Sequence, residues 1–187
     1  EYFYTTESAN TRDFYNPFDA DDVNRYFNGP YKAMPHAEWC EKYGRKLFKG
    51  IDPMQPIIVL RPGERILAHT HEFIGINPPG TTEMKSRSSW GRNGVAACLD
   101  AGRGDPGYIN RWTMEVYNLN RQESVVIPVG ERIAQIIFHD TGEVDRHYGK
   151  GGKYQGGTEL PEIIRNWKPS DMLPKAFSDA RHKPLPL

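Results

Sequence analysis

This chain carries no excess of charge of either sign, no cysteine framework and no long apolar run, and each lack removes a class of function. Its 187 residues hold 24 Lys and Arg against 24 Asp and Glu. A net charge of zero leaves no global field to gather nucleic acid or an anionic membrane, so neither is expected as a partner. A polyanionic ligand would need a local cluster of Arg, Lys and backbone amides instead. The two cysteines, Cys40 and Cys98, are too few for a disulfide framework and fit a reducing cytosol. No apolar run approaches the ~20 residues of a membrane-crossing helix. The start, Glu1-Tyr-Phe-Tyr-Thr-Thr6, does not read as a signal peptide. The expected location is therefore cytoplasmic. Because the first residue is not Met, the chain is expected to be a processed or truncated copy of something longer.

What is present predicts one soluble, mainly-β domain. Gly 18 and Pro 15 imply many turns and favour short strands over long helices. The hydrophobic share is 37%, the charged share 26% and the mean hydropathy −0.70, fairly polar for a globular fold. Tyr2 to Thr6 reads as a strand. Asp19 to Asp22 caps a brief helix through Phe27, which Asn28-Gly29-Pro30 ends. A short helix is expected at Ala37 to Tyr43 within an irregular segment, 31–50. Strands follow at Ile57–Leu60, Arg65–Thr70 and Glu72–Ile76, and later at Ser124–Ile127 and Arg132–Phe138. Leu60–Ile66 and Ile127–Ile133 echo one another. Residues 145–157, basic, Gly-rich and aromatic, suit a segment that closes over a ligand. A short helix is expected near Glu159–Trp167, then a Pro-rich end that packs on a neighbour or stays disordered.

Chemistry concentrates between Lys85 and Asn118. If Ser88 or Ser89 caps a short helix, the i, i+4 spacing puts Ser88 and Arg92 on one face, where hydroxyls and amides favour phosphate oxygens; an ordinary capped helix with a solvated Arg fits equally well. In Thr113-Met-Glu-Val-Tyr117, Thr113, Glu115 and Tyr117 share one strand face. Glu115 there is either a solvated edge residue or a partly desolvated general acid/base. Asp105, in Gly104-Asp-Pro-Gly107, is a turn residue that could also hold a sugar hydroxyl or orient a water. His69 and His71 are spaced for a metal but lack further ligands nearby. His36-Ala-Glu38 with Cys40 approaches the H-x-E…P-C-x-x-C arrangement of zinc nucleobase deaminases. The cysteines, however, stand 58 positions apart with no C-x-x-C, and zinc is rejected.

Three successive motifs then become specific: Ser86-Arg-Ser-Ser-Trp-Gly-Arg-Asn-Gly94, Ala101-Gly-Arg-Gly-Asp-Pro-Gly-Tyr108 and Met114-Glu-Val-Tyr-Asn118. In order and spacing they resemble the dCTP deaminases of the trimeric dUTPase superfamily, without a gap from Arg87 to Asn118. Val129–Gln135 resembles the next turn and strand, and Tyr148 with Lys153–Gly156 resembles the C-terminal flap. The resemblance implies a distorted β-barrel or jelly roll with a few short helices, assembled as a homotrimer with active sites between subunits. It assigns residues 1–157 to that domain, with the flap at about 145–157, and leaves 158–187 as an extension of unknown role. It implies that Glu115 is the general acid/base and that Ser88 and Arg92 position the water and stabilise the addition intermediate. The carbonyls of Leu99 and Ala101 would accept from the exocyclic amine. Arg87, Ser89, Gln135, Tyr148 and Lys153 would hold the triphosphate with its Mg²⁺, and Asp105 would lie under the deoxyribose. Thr113 joins the substrate-binding set. The substrates implied are dCTP and dUTP.

Pure dUTPases rely on the turn acid, here Asp105, and generally lack a Glu at the position of Glu115. That Glu favours deamination, and Gly102 and Gln135 resemble the bifunctional members that carry dCTP on to dUMP. The alternatives are a dUTPase-type pyrophosphatase and a non-catalytic nucleotide-binding regulatory protein on the same fold. The chain departs from the pattern at Asn110, where a Gly is usual and a left-handed residue is expected, and at Gly157, where a second Gln is usual. The family's N-terminal Pro-x-Ser-x-Asp-Leu segment is not seen.

Overall fold

The computed structural model describes residues 1–6, 14–99 and 101–179. Tyr2–Thr5 forms β1. Asp19 accepts hydrogen bonds from the amides of Asp21 and Asp22 and caps α1, Ala20–Tyr26, as its position before a helical run requires. The chain does not simply turn at Asn28-Gly29-Pro30: these residues open β2, Asn28–Lys32, which pairs antiparallel with β1. A Cβ on Gly29, at φ +139, would stand 2.9 Å from the Phe3 carbonyl oxygen, so only glycine lets the two backbones approach this closely. Next come β3, Met34–Pro35, and α2, His36–Lys42, one residue earlier than the sequence predicts. His36 is fully buried, its Nε2 accepting from the Phe48 amide at 2.9 Å.

From there the chain is almost all strand. β4 is Pro56–Leu60 and β5 is Arg65–Gly75, one long strand whose register slips between His69 and Phe73 where two shorter strands were expected. β6, Gly80–Ser86, precedes α3, Ser88–Arg92. β7 is Val95–Ala97, β8 is Arg103–Gly104 and β9 is Ile109–Asn118. β10, Val125–Pro128, and β11, Ala134–Asp140, follow. Then come α4, Leu160–Asn166, and two short 3-10 helices, Pro169–Met172 and Ala176–Ser178.

The strands form a five-stranded sheet, β2-β1-β5-β9-β7, and two three-stranded sheets, β10-β4-β3 and β11-β6-β8. The main core lies between them. Ile66, Trp112, Met114, Val116 and Val95 from the first sheet meet Leu60, Ile127 and Met84 from the other two. The architecture is mainly β with short helices, as expected, but the ladders do not close into a barrel among the described residues. Where β6 would meet β7, a side chain replaces the backbone ladder: the Ser86 hydroxyl accepts from the Ala97 amide at 2.7 Å and donates to its carbonyl at 3.3 Å. The echoing segments share one sheet as β4 and β10, Ile58 facing Ile127, then diverge into β5 and β11 in different sheets.

The five-stranded sheet is covered on its other face as well. Tyr4 and Leu67 pack there against Val23 of α1, against Phe27 at its C-terminal cap and against Met172. Residues 158–179 thus pack on their own chain rather than fraying or awaiting a neighbour, for a plain reason: Met172 is 3% exposed and Ile163 2% exposed, so both remove apolar area from water. The Pro-rich end, 180–187, lies outside the described residues.

Candidate active site

Strand β9 alternates strictly, its even-numbered residues buried and its odd-numbered residues half-buried. Trp112, Met114 and Val116 therefore enter the main core, while Arg111, Thr113 and Glu115 line the opposite face. A cavity of about 530 Å³ opens on that face. β5 contributes Arg65 and Leu67 to it, β8 and the residues flanking it contribute Ala101, Arg103 and Asp105, and residues 148–174 close it with Tyr148, Lys153, Trp167 and Asp171.

Glu115 is the central acid of this cavity. Burial raises its carboxyl above the usual carboxylate range, while its own backbone amide and the Arg65 guanidinium pull the other way. Next to it the backbone is unusual: the Cys98 amide donates to the Glu115 carbonyl at 3.0 Å, and Cys98 sits at φ 51, a left-handed conformation that non-glycine residues adopt at a cost. Burial pushes the Cys98 thiol up to about 12, with Glu115 adding to the effect. The thiol is therefore inert, and its strained backbone sends the chain towards Ala101. Burial also raises the phenols of Tyr108 and Tyr148, whose rings meet edge to face at 5.2 Å.

The flap is anchored. The Gln155 carboxamide accepts from the Ile109 amide at 2.8 Å and donates to the Gly107 and Gly157 carbonyls at 3.2 and 3.0 Å. Asn110 donates from Nδ2 to the Tyr154 carbonyl at 2.7 Å. Asn110 is not left-handed; it is an ordinary buried strand residue whose amide replaces the usual glycine with a tether. Lys153 bonds the Asp179 carboxylate and the Lys175 carbonyl, Lys175 Nζ returns to the Lys153 carbonyl at 3.1 Å, and the Lys175 amide donates to the Tyr154 hydroxyl at 2.9 Å. Flap and extension form one clasp across the cavity.

The hydroxyl-rich knot lies elsewhere. Arg87, not a serine, occupies the N-cap of α3 and makes no side-chain cap, so Ser88, Ser89 and Arg92 are exposed helical residues. The Arg87 amide donates to Ile133 and its guanidinium to the Arg132 carbonyl, each at 2.9 Å. These bonds fix the knot beside β11, where Gln135 pairs in register with Lys85 and is exposed. Trp90 packs against the main core, which holds α3 on the inner side of the sheet whose outer side bears Glu115. The structure thus gathers Ala101, Asp105, Thr113, Glu115, Tyr148 and Lys153, and separately Arg87, Ser88, Ser89, Arg92 and Gln135. Leu99 joins neither and is exposed. Among the described residues no three His, Cys, Asp or Glu side chains cluster to hold a metal.

A family profile described as dCTP deaminase-like matches residues 20–141. The chain belongs to the dCTP deaminase-like family. It is 44% identical over 101 residues to the dCTP deaminase, dUMP-forming, of Methanopyrus kandleri, a match covering 52% of each chain. The relative of the same name from Methanothermobacter thermautotrophicus is 36% identical over 111 residues, 57% of this chain and 55% of its own. The relative from Beutenbergia cavernae, also of that name, is 34% identical over 142 residues, 72% of each. The chain spans about half the length of the first two relatives. Among solved structures, EIAV dUTPase aligns with a TM-score of 0.41 and 19% identity over 49% of this chain and 73% of that one.

The family match ends at residue 141, so the flap and the extension lie beyond it, and there motif reading missed the most. Trp167 and Asp171 line the cavity, yet nothing in their local sequence marks them, and the flap motif that contains Gln155 does not show that this side chain anchors it. Arg65, Arg103 and Arg111 also line it; on a strand or turn each reads as a surface cation. The one available signal was parity, since Arg65 and Arg111 are odd-numbered residues on strands whose odd-numbered face carries Leu67 and Glu115.

Proposed function

We propose that this protein deaminates dCTP to dUTP and ammonia, without zinc, and carries dUTP on to dUMP and pyrophosphate. The observation that carries the reading is Glu115, a half-buried carboxyl whose pKa burial raises, in one cavity with Ala101 and Asp105. A carboxyl whose neutral form burial favours suits proton transfer in both directions. Glu115 takes a proton from a water that adds to C4 of the cytosine ring and delivers it to N3. It then moves the second proton to the exocyclic amine, which leaves as ammonia while C4 becomes a carbonyl. The Ala101 carbonyl accepts from that amine, Asp105 holds the deoxyribose, and Thr113 lines the base end. Lys153 and Tyr148 reach the triphosphate. Mg²⁺ would arrive on the triphosphate and offset its charge there. The onward step to dUMP is supported by the dUMP-forming names of the Methanopyrus kandleri and Methanothermobacter thermautotrophicus relatives and by Gly102 and Gln135.

Ser88 and Arg92, proposed for the water and the addition intermediate, stand outside the Glu115 cavity. Arg87, Ser89 and Gln135, proposed for the triphosphate, stand with them. A homotrimer in which a second copy brings this knot to the cavity reconciles the two groups. Exposed Ile137 and Phe138 on β11, at 39% and 48%, support self-association. Asp105 lies in the same cavity, so a dUTPase-type reading, with Asp105 activating a water at the α-phosphate, is the competitor. Incubation with dCTP and dUTP separately, with Mg²⁺, decides. Ammonia from dCTP supports the proposal, and pyrophosphate from dUTP with no ammonia from dCTP overturns it.

A further inference from the structure

Arg65 is the first residue of β5 and is placed by register. It lies opposite Tyr117, and Leu67 lies opposite Glu115, so Arg65 and Glu115 are diagonal cross-strand neighbours on one face, within reach of a long side chain. Both line the cavity. Among the described residues no carboxylate stands within ion-pair range of Arg65, so its charge is not neutralised by a partner of its own. We propose, building on the deaminase reading, that Arg65 is a positioning residue that holds Glu115 in its ionised, water-accepting form.

The need arises from the cavity itself. A carboxyl removed from water favours its neutral form, yet neutral Glu115 cannot take a proton from the attacking water. A positive group nearby, but not in contact, offsets the burial without locking the carboxylate into an ion pair that would make it a poor base. Arg65 meets both conditions: it draws Glu115 towards ionisation, and no ion pair joins the two. The other charges facing Glu115 do not supply the effect. The Cys98 thiol, pushed up to about 12 by burial, stays neutral. Across the cavity, Arg103 of β8 and Asp105 just after it oppose each other in sign. Lys153 is bound to Asp179, and Asp171 stands in range of Lys175 at 3.7 Å. Arg111 lies four residues along β9, with its guanidinium between the Phe73 and Trp167 rings at 5.1 and 4.9 Å. The phenols of Tyr108 and Tyr148, raised by burial, stay neutral, as does that of Tyr15 near Arg65; Tyr154 also lines the cavity. Beside Arg65 itself stand Tyr26, Tyr117 and Glu64, the last paired with Arg61 at 3.4 Å.

The test is the pH profile of dCTP deamination for wild type, Arg65→Leu and Arg65→Lys, with the Glu115 carboxyl carbon titrated by NMR in each protein. In Arg65→Leu the acid limb moves to higher pH. Activity falls about three- to ten-fold on that limb, the scale of losing one nearby charge, and rejoins wild type on the alkaline plateau. Arg65→Lys restores most of the loss, and the carboxyl titration moves with the kinetic limb. Where Arg65→Leu does not fold, Arg65→Gln takes its place. A loss equal at all pH values, or a Glu115 titration that does not move, overturns the proposal. The NMR titration needs no turnover, so it reads the Arg65–Glu115 coupling even in a protein that fails to deaminate dCTP, and the two readings fail separately.

Discussion

The Glu115 cavity and the α3 knot are neighbours in sequence and opposites in structure. The cavity is roofed by the flap and the extension, its carboxyl is desolvated, and its walls are tied by Gln155, Asn110 and the Lys153 clasp. The knot is open: Ser88, Ser89 and Arg92 are exposed, and α3 has no side-chain cap. Desolvation is what a proton-transferring carboxyl requires, whereas hydroxyls and guanidinium groups stay useful in water until an anion reaches them. In the proposed homotrimer, one half is complete within a single copy while the other waits for a partner surface.

The sharpest way to break the comparison is on the cavity side. Glu115→Gln should lower deamination on the order of 10²–10⁴-fold, the range for a lost acid/base, while dCTP binding persists; turnover near wild type would remove Glu115 from the chemistry. The same substitution should alter stability in the opposite sense. Glu115 has a raised folded pKa, so its contribution is fully present below its unfolded pKa of 4.5 and is lost as pH rises through the folded value. Glu115→Gln should accordingly raise the melting temperature at pH 7–8, with the difference closing below pH 4.5. Ser88→Ala, at an exposed site, should leave melting within about 0.5 kcal/mol of wild type while lowering turnover.

The two regions also differ in how far sequence reveals them. The β9 alternation is visible because Thr113-Met-Glu-Val-Tyr117 switches polarity at every residue, and α1 is visible because Asp19 is a good cap. β6 is hidden: its inward positions are Thr82 and Met84, and a buried threonine removes the hydrophobic signal on which a period-2 reading depends. Arg65, Trp167 and Met172 acquire meaning only from contacts tens of residues away across the sheet, which no local pattern carries. The adjacency of knot and cavity within 34 residues misleads for the same reason, since β7 turns the chain between two faces of one sheet.

Next in size is a mixing experiment that asks whether the halves come from different copies. Ser88→Ala and Glu115→Gln, each impaired alone, should recover activity when refolded together. In a cyclic trimer with one site per interface, about a quarter of the sites would pair an intact Glu115 with a neighbour's intact Ser88. Activity no greater than the sum of the separate variants would place both halves in one copy and require α3 to move to the cavity.

The smallest effect probes the clasp. Lys153 is proposed for the triphosphate, yet its ammonium already bonds the Asp179 carboxylate, and the two side chains are 33% and 55% exposed. A carboxylate and a phosphate compete for the same charge, so Asp179→Asn should lower the KM for dCTP. An exposed pair contributes only about 0.2–1 kcal/mol, which limits the change to roughly two- to five-fold. Lys153→Ala should shift KM the other way and make the Asp179 substitution silent, because the competition then has no object. If Asp179→Asn instead raises KM in a protein that retains Lys153, the extension orients the lysine for the triphosphate rather than withholding it. The roof over Glu115 would then be part of the binding site and not a barrier to it.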